Sequence, residues 1–323
     1  MFLVVALAGG LTSSLAAQSR VERELARLAQ TAGGPGGLVG LTAVHLESGK
    51  SLNLEPNRAF PLASTYKIPI AVRLLSMVDK GQLKLDSLVQ LGPRDIYVNT
   101  GGVVADRIRP GSALTIDNLL ELMLVLSDNN ATDVLLRIVG GGAAVTARLR
   151  EIGITDIRVD RPTWAILANW AGRPDVVPEH QISEQDFNAL DLSDGVGKAE
   201  DAFLKDPRDH GTSAAMVTLL GKLWRREVLS EASTKHLFDI MYRCETGKLR
   251  LKGLLPPGTP VSHKTGTIGM SQNDVGVIDL PGGAGHVLIA VYTTLPGIAD
   301  GPTREGVIGQ LSRAVYDYFL LAQ

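Results

Sequence analysis

Apolar positions 21, 25, 28 and 29 (Val21, Leu25, Leu28, Ala29) recur at helical spacing among Glu22, Arg23, Glu24 and Arg27, which predicts an amphipathic helix after Gln18. Gly33-Gly34-Pro35-Gly36-Gly37 stops it; the cluster lacks phosphate-loop spacing and a following lysine, so it reads as a turn. Residues 38–46 and 51–54 then have strand character around the turn Glu47-Ser48-Gly49-Lys50. Helical spacing returns with Ile68, Ile70, Ala71, Val72, Leu74 and Leu75, predicting a helix over residues 64–79 that ends near Gly81. Pro69 falls in the second turn of that helix, where it removes one intrahelical hydrogen bond at a cost in stability. Thr115 can cap the next helix, with Leu119, Leu120, Met123 and Leu124 on its apolar face. A helix with Val134, Leu135 and Ile138 follows, ended by Gly140-Gly141-Gly142, and then one over residues 143–151 closed by Gly153. Consecutive helices with short joints make an all-helical region. Strand character resumes at 261–267, 275–280 and 286–294, the last two joined by Pro281-Gly282-Gly283. The final helix, from about Thr303, carries Val307, Ile308, Leu311, Val315, Tyr318 and Phe319 at helical spacing, read as core packing rather than a cofactor box.

Bulk composition narrows the class without changing this picture. A chain of 323 residues buries a large core as one big domain or two intimate ones. A net charge of −2 gives no reason to expect nucleic acid or an anionic membrane as partner. Residues 2–11 are apolar, and Ser14 and Ala16 stand in the −3/−1 arrangement of a signal peptidase site. The run is too short to span a bilayer and has no Lys or Arg before it. The expectation is a signal peptide over 1–17 and an exported, periplasmic or extracellular protein; the alternative is a buried N-terminal helix. Cys244 is the only cysteine, so no internal disulfide forms and no lipid-anchored cysteine is available near the leader. With no histidine partner assignable, Cys244 reads as a core residue. None of the six histidines belongs to a ligand-spaced cluster, so no metal is expected, and His263, on the opposite strand face from Lys264, reads as structural.

Candidate chemistry begins with Ser64 and Lys67, three apart at a predicted helix start. If Ser64 caps that helix, the pair shares one face, with the lysine ammonium beside the serine hydroxyl. The helix dipole and burial in a cleft both lower a lysine pKa, so Lys67 can take the serine proton. Ser-x-x-Lys also arises by chance on many helices, and it gains weight only from its company. Ser127-Asp128-Asn129 lies in a polar loop between apolar helices. There a serine can pass a proton to a leaving nitrogen and an asparagine amide can hold a carbonyl, although an ordinary N-cap and turn would look the same. Lys264-Thr265-Gly266 sits on a strand, where lysine and threonine would bind a carboxylate and glycine would let substrate lie against the edge.

Ser64-x-x-Lys67, Ser127-Asp128-Asn129 and Lys264-Thr265-Gly266, in this order, resemble the signatures of the class A β-lactamases and penicillin-binding proteins. Asp206-Pro207-Arg208-Asp209 followed by Ser213-Ala214-Ala215-Met216 is similar to the end of the class A omega loop and its following helix, and residues 254–267 to the approach to the catalytic strand. The resemblance implies an α/β plus all-α fold, with a five-stranded antiparallel sheet flanked by helices from both termini and an inserted helical domain. Residues 18–61 and 214–323 would form the α/β domain, 62–213 the helical one, with the site at their junction. It implies that Ser64 attacks a lactam or peptide carbonyl with Lys67 as the nearest base. The backbone N–H groups of Ser64 and Thr267 would form the oxyanion hole. Ser127 would relay the proton, Asn129 would hold the acyl amide, and Lys264 with Thr265 would bind the substrate carboxylate. No cofactor is expected, and the processed protein is expected to be a monomer without a stable membrane anchor.

One stretch departs from the pattern. Class A omega loops open with a motif like Asp-Arg-Trp-Glu-x-x-Leu-Asn, whose glutamate activates the deacylating water. Here the collinear run is Asp160-Arg161-Pro162-Thr163-Trp164-Ala165-Ile166-Leu167, with Thr163 at the glutamate position and Leu167 at the asparagine position. The region 161–209 is also enlarged, and Arg161 and Asp209 could clamp its base as an exposed ion pair of little energetic weight. Inside it, Glu184 opens a Glu-x-x-(apolar)-Asn pattern ending at Asn188. Ser183 and Asp186 equally make Glu184 the first-turn acid of a capped helix, which is the reading favoured. Glu200, before Phe203-Leu204, is a second candidate base. The expectation is a serine hydrolase that opens β-lactam rings through an acyl-enzyme and releases it slowly. The alternatives are a D-alanyl-D-alanine peptidase acting on peptidoglycan-like peptides and a penicillin-binding sensor that stays acylated.

Overall fold

The sheet strands are apolar on both faces, and a sheet so patterned has to be covered on both sides. The computed structural model describes residues 6–97, 102–173, 197 and 199–321, with side chains from residue 20 onward. In chain order the elements are α1 (Ala6–Gly33), β1 (Leu38–His45), β2 (Ser51–Leu54), β3 (Phe60–Pro61), α2 (Lys67–Asp79), β4 (Leu88–Gln90), α3 (Val103–Arg107), β5 (Ala113–Thr115), α4 (Ile116–Val125), α5 (Asn129–Ile138), α6 (Gly141–Glu151) and α7 (Thr163–Trp170). There follow α8 (Glu200–Lys205), β6 (His210–Gly211), α9 (Ser213–Trp224), α10 (Glu231–Tyr242), β7 (Val261–Ile268), β8 (Ser271–Asp279), β9 (His286–Thr294) and α11 (Gly301–Leu321). Five strands make one antiparallel sheet in the order β2-β1-β9-β8-β7. Leu41 and Ala43 of β1 and Ile289 and Val291 of β9 share one core with Leu25 of α1 and Ile308, Leu311 and Val315 of α11. On the other face Val275, Val277, Leu288 and Tyr292 join a larger core built by α2, α4, α5, α9 and α10. The expected α/β plus all-α architecture with its five-stranded sheet is present. No described helix is long and apolar enough to cross a membrane.

Thr115 caps α4 as the sequence suggests, accepting from the Asn118 amide at 3.0 Å. Three local expectations need correction. The helix read from Ser64 begins instead at Lys67; Ala63–Tyr66 form a 3₁₀ turn, and Ser64 caps nothing. Thr65 supplies the turn's side-chain bond, its Oγ1 donating to the Leu62 carbonyl at 2.7 Å. Pro69 therefore lies in the first turn of α2, where an N–H has no partner within the helix, so the expected loss does not arise. The glycine triplet does not simply end α5: Gly140 is left-handed at φ 96°, and Gly141 and Gly142 open α6. A Cβ on Gly142 would stand 2.6 Å from the Asp160 carbonyl oxygen, which is why glycine is needed there. Finally, the strand expected over 275–280 begins earlier, so that Asn273 and Asp274 are inside β8, paired to both β7 and β9.

Candidate active site

The turn holding Ser64 is pinned against the edge strand by its neighbours. Asn273 of β8 donates from Nδ2 to the carbonyls of Pro61 (2.8 Å) and Leu62 (3.1 Å). Gly266 of β7 passes so close that a Cβ would lie 2.7 Å from the Leu62 oxygen and 3.1 Å from the Ser64 amide nitrogen. Only glycine lets the strand run beside the serine. Ala63, just before Ser64, has φ 45°, and Ser127 has φ 60°. Each side-chain-bearing residue in that left-handed region costs on the order of 1–3 kcal/mol, the kind of strain that clusters at functional sites. Ser64 is half-buried, and its side chain has no hydrogen-bond partner among the described residues.

Asp128 organises the second motif. Its Oδ1 accepts from the Ala131 amide and caps α5, and its Oδ2 accepts from the Val104 amide, both at 2.8 Å. Ser127 and Asn129, on either side, meet the fully buried Lys67. Lys67 Nζ donates to the Ser127 carbonyl (2.7 Å) and Asn129 Oδ1 (2.9 Å), and lies 3.1 Å from Ser127 Oγ. Lys264, also fully buried, reaches the same Ser127 Oγ at 2.9 Å and its neighbour's carbonyl, Thr265 O, at 2.9 Å. The Ser127 hydroxyl thus stands between two amines. Burial first, and the Lys264 charge second, hold Lys67 well below the ordinary lysine range, while Asp128 and Asp133 pull the other way. Burial brings Lys264 down to about 8, against the opposing pull of Cys244 and Asp274. Both amines direct an N–H at the Ser127 oxygen, whose two lone pairs accommodate them. Residues three apart in a 3₁₀ turn share a face, which keeps Lys67 beside Ser64 as expected, but its hydrogen bonds go to Ser127 and Asn129.

Thr265 Oγ1 lies 2.6 Å from Thr246 Oγ1, and Arg250 braces β7 from behind. Arg250 donates to the carbonyls of Gly266 and Asn273 at 2.8 Å, to Thr267 Oγ1 at 2.6 Å, and pairs with Glu305. Sequence reading missed both Thr246 and Arg250. Their one signal is a Thr-Gly pair and an arginine in the segment between the helix before and the strand carrying Lys264.

Among the described residues of the enlarged region, the glutamate position holds Thr163 and no carboxylate. Thr163 is buried, with Oγ1 2.5 Å from the Tyr66 hydroxyl and its amide donating to Asp133 at 2.6 Å. Asp133 also accepts from the Trp164 amide and the Tyr97 hydroxyl, so it is committed to holding this turn. Glu200 is buried at the start of α8, accepting from Trp170 Nε1 and from the Met270 amide (3.0 Å). It locks α7 and α8 onto the β7–β8 turn, where a Cβ on Gly269 would fall 2.1 Å from its Oε2. Glu184, with Ser183, Asp186 and Asn188, lies outside the described residues. The Arg161–Asp209 pair exists but is not exposed: Arg161 Nε lies 2.6 Å from Asp209 Oδ2, with side chains 7% and 4% exposed. Arg161 also donates to Asn169 Oδ1 and Asp206 Oδ2. Cys244 is buried, as a core residue should be, but it has the histidine neighbour that spacing could not assign, His263.

Comparison with known proteins gives the chain its family. The model of the beta-lactamase enzyme family matches residues 20–319. The extended-spectrum beta-lactamase PER-1 of Pseudomonas aeruginosa is 30% identical over 276 residues, covering 83% of this chain and 78% of its own. A beta-lactamase structure from Chitinophaga pinensis superposes with a TM-score of 0.75 at 27% identity, over 92% of this chain and 98% of that one. An ancestral (GNCA) class A beta-lactamase superposes with a TM-score of 0.74 at 31% identity, over 92% and 99% of the two chains. The chain belongs to the beta-lactamase enzyme family, within the class A superfamily of serine hydrolases.

Proposed function

We propose that this enzyme opens β-lactam rings through a Ser64 acyl-enzyme and that release of the acyl group is its slow step. In this reading Lys67, kept neutral by burial, takes the Ser64 proton as substrate enters, and Ser127 passes it to the leaving nitrogen. The amides of Ser64 and Thr267 stabilise the oxyanion, Asn129 holds the acyl amide, and Lys264 with Thr265 anchors the substrate carboxylate. The observation that carries the reading is the Ser127 hydroxyl within 3.1 Å of Lys67 and 2.9 Å of Lys264, a ready proton path beside the nucleophile turn. Slow deacylation is supported by Thr163 at the glutamate position, since a hydroxyl is not basic near neutrality, and by the commitment of both Glu200 oxygens to Trp170 and Met270. Export by a leader over 1–17 and action as a monomer complete the proposal.

Intact-protein mass spectrometry after penicillin exposure tests it. The acylated mass should accumulate in the wild type, persist, and be absent from Ser64→Ala. A positioned general base typically contributes about 10²–10⁴-fold, and Glu184→Gln should change the acyl-enzyme lifetime by less than about tenfold. A short lifetime that lengthens about a hundredfold in Glu184→Gln would instead make Glu184 the deacylating base.

A further inference from the structure

Behind β7 lies a chain of groups, buried except for the half-buried Thr246, that ends at Thr265. Asp274 Oδ1 and Oδ2 stand 2.8 and 2.9 Å from His263 Nδ1, so the carboxylate takes the Nδ1–H. His263 Nε2 is buried and makes no hydrogen bond, and its charge acts on the Cys244 sulfur. Cys244 Sγ lies 3.3 Å from Thr246 Oγ1, which lies 2.6 Å from Thr265 Oγ1. Each of the two links from Cys244 to Thr246 and from Thr246 to Thr265 holds one hydrogen, so the state of the sulfur biases that of Thr265. A thiolate only accepts; Thr246 then donates to sulfur, the hydrogen between the threonines belongs to Thr265, and Thr265 turns a lone pair to the cleft. A thiol beside a protonated His263 has no acceptor there, so it donates to Thr246. Both hydroxyls then reverse and Thr265 O–H is free for an anion.

We propose that Cys244 sets, through Thr246, whether Thr265 is a donor or an acceptor, and so is a positioning residue that governs affinity for anionic substrates. The inference rests on the assignment of Lys264 and Thr265 to the substrate carboxylate. The charged groups acting on the sulfur are His263 and Lys264 from β7; Asp274 from β8 pairs with His263, Asp274 and Arg250 act in turn on Lys264, and Lys252 Nζ donates to the Cys244 carbonyl. Burial pushes the Cys244 thiol up, but His263, Lys264 and Thr246 outweigh it and bring it to about 6. Burial pushes His263 down, but Asp274 and Cys244 outweigh it and raise it to about 9. Between those values the sulfur is an acceptor; below about 6 it regains its proton. Affinity for anionic substrates therefore falls as pH rises through about 6, while Lys264 is still charged.

The test follows acylation by a penicillin and by a neutral ester in the intact enzyme, in Cys244→Ser and in Cys244→Ala, between about pH 5 and about pH 7. In the wild type the half-saturating penicillin concentration should rise by about tenfold, the worth of one hydrogen bond to a charged group, with the limiting rate moving much less. Both variants should be flat, and so should the ester throughout. Ultraviolet thiolate absorbance of the single cysteine should rise over the same interval without substrate. A flat wild-type half-saturation with normal acylation, or an equal rise in Cys244→Ser, overturns the proposal alone. Failure of penicillin to acylate Ser64 overturns the functional reading and this proposal with it.

Discussion

Lys264 shows how one residue's surroundings set a testable pH limit. Burial removes water from its ammonium and brings it to about 8, so its charge is lost as pH rises through that value. The rate of acylation by a penicillin, divided by that for a neutral ester, should therefore fall by up to about tenfold per pH unit above about 8. The ratio cancels changes in the chemical step common to both substrates. Lys264→Ala should depress penicillin acylation far more than ester acylation and abolish this pH limb. Equal losses on the two substrates would place Lys264 in the chemistry or the fold instead. Lys67 differs because it is pressed by burial and by the charge of Lys264 together, which suits a base rather than an anchor.

At the scale of elements, the base of the enlarged region is closed by a buried charge cluster. Arg161 touches Asp209, Asp206 and Asn169, and its guanidinium also lies 5.8 Å from the centre of the Phe203 ring. Burial pushes Asp209 up even with Arg161 beside it, a sign of how fully it is desolvated. Removing the cation leaves that carboxylate buried and unpaired, so Arg161→Leu should cost about 3–5 kcal/mol in urea unfolding. Arg161→Leu combined with Asp209→Leu should recover part of the loss. Asp206 behaves otherwise: burial raises it, but Arg208 and Arg161 outweigh that and hold it at about 2. Its stabilising contribution is therefore present above the ordinary aspartate range and disappears as pH falls through about 2.

The whole molecule depends on both chain ends reaching one face of the sheet. α1 and α11 together cover the side formed by Leu41, Ala43, Ile289 and Val291. Val307, Ile308, Leu311, Val315 and Phe319 of α11 are all buried there. At about 1.5–3 kcal/mol for each large apolar side chain, losing these five is comparable to the whole of the roughly 5–15 kcal/mol by which a folded protein is stable. A chain truncated before Gly301 should give no cooperative thermal transition and should accumulate as insoluble protein. A soluble truncated chain that still melts cooperatively would show that α11 is peripheral to the fold.

Much of this protein was readable along the chain because its cause is local. Helical and alternating apolar spacing placed α4, α5, β1 and β9, the Thr115 cap needs only its own loop, and the Ser64, Ser127 and Lys264 motifs are short enough to recognise by residue type. What the residues meet was not local. Ser64 sits in a 3₁₀ turn because Thr65 bonds Leu62 and because Asn273, more than two hundred positions away, grips the same carbonyl. Arg161 and Asp209 are buried where spacing suggested exposure, because α8 and its loop fold over them. Cys244 lacked a partner on paper; the antiparallel pairing of β7 with β8 joins His263 to Asp274 and turns the imidazole toward the sulfur. The order of amino acids by itself determined which acids, bases and nucleophiles this enzyme possesses. Only the tertiary structure decided which of them lose their water and which charge stands beside each, and those two quantities set the protonation states on which the chemistry depends.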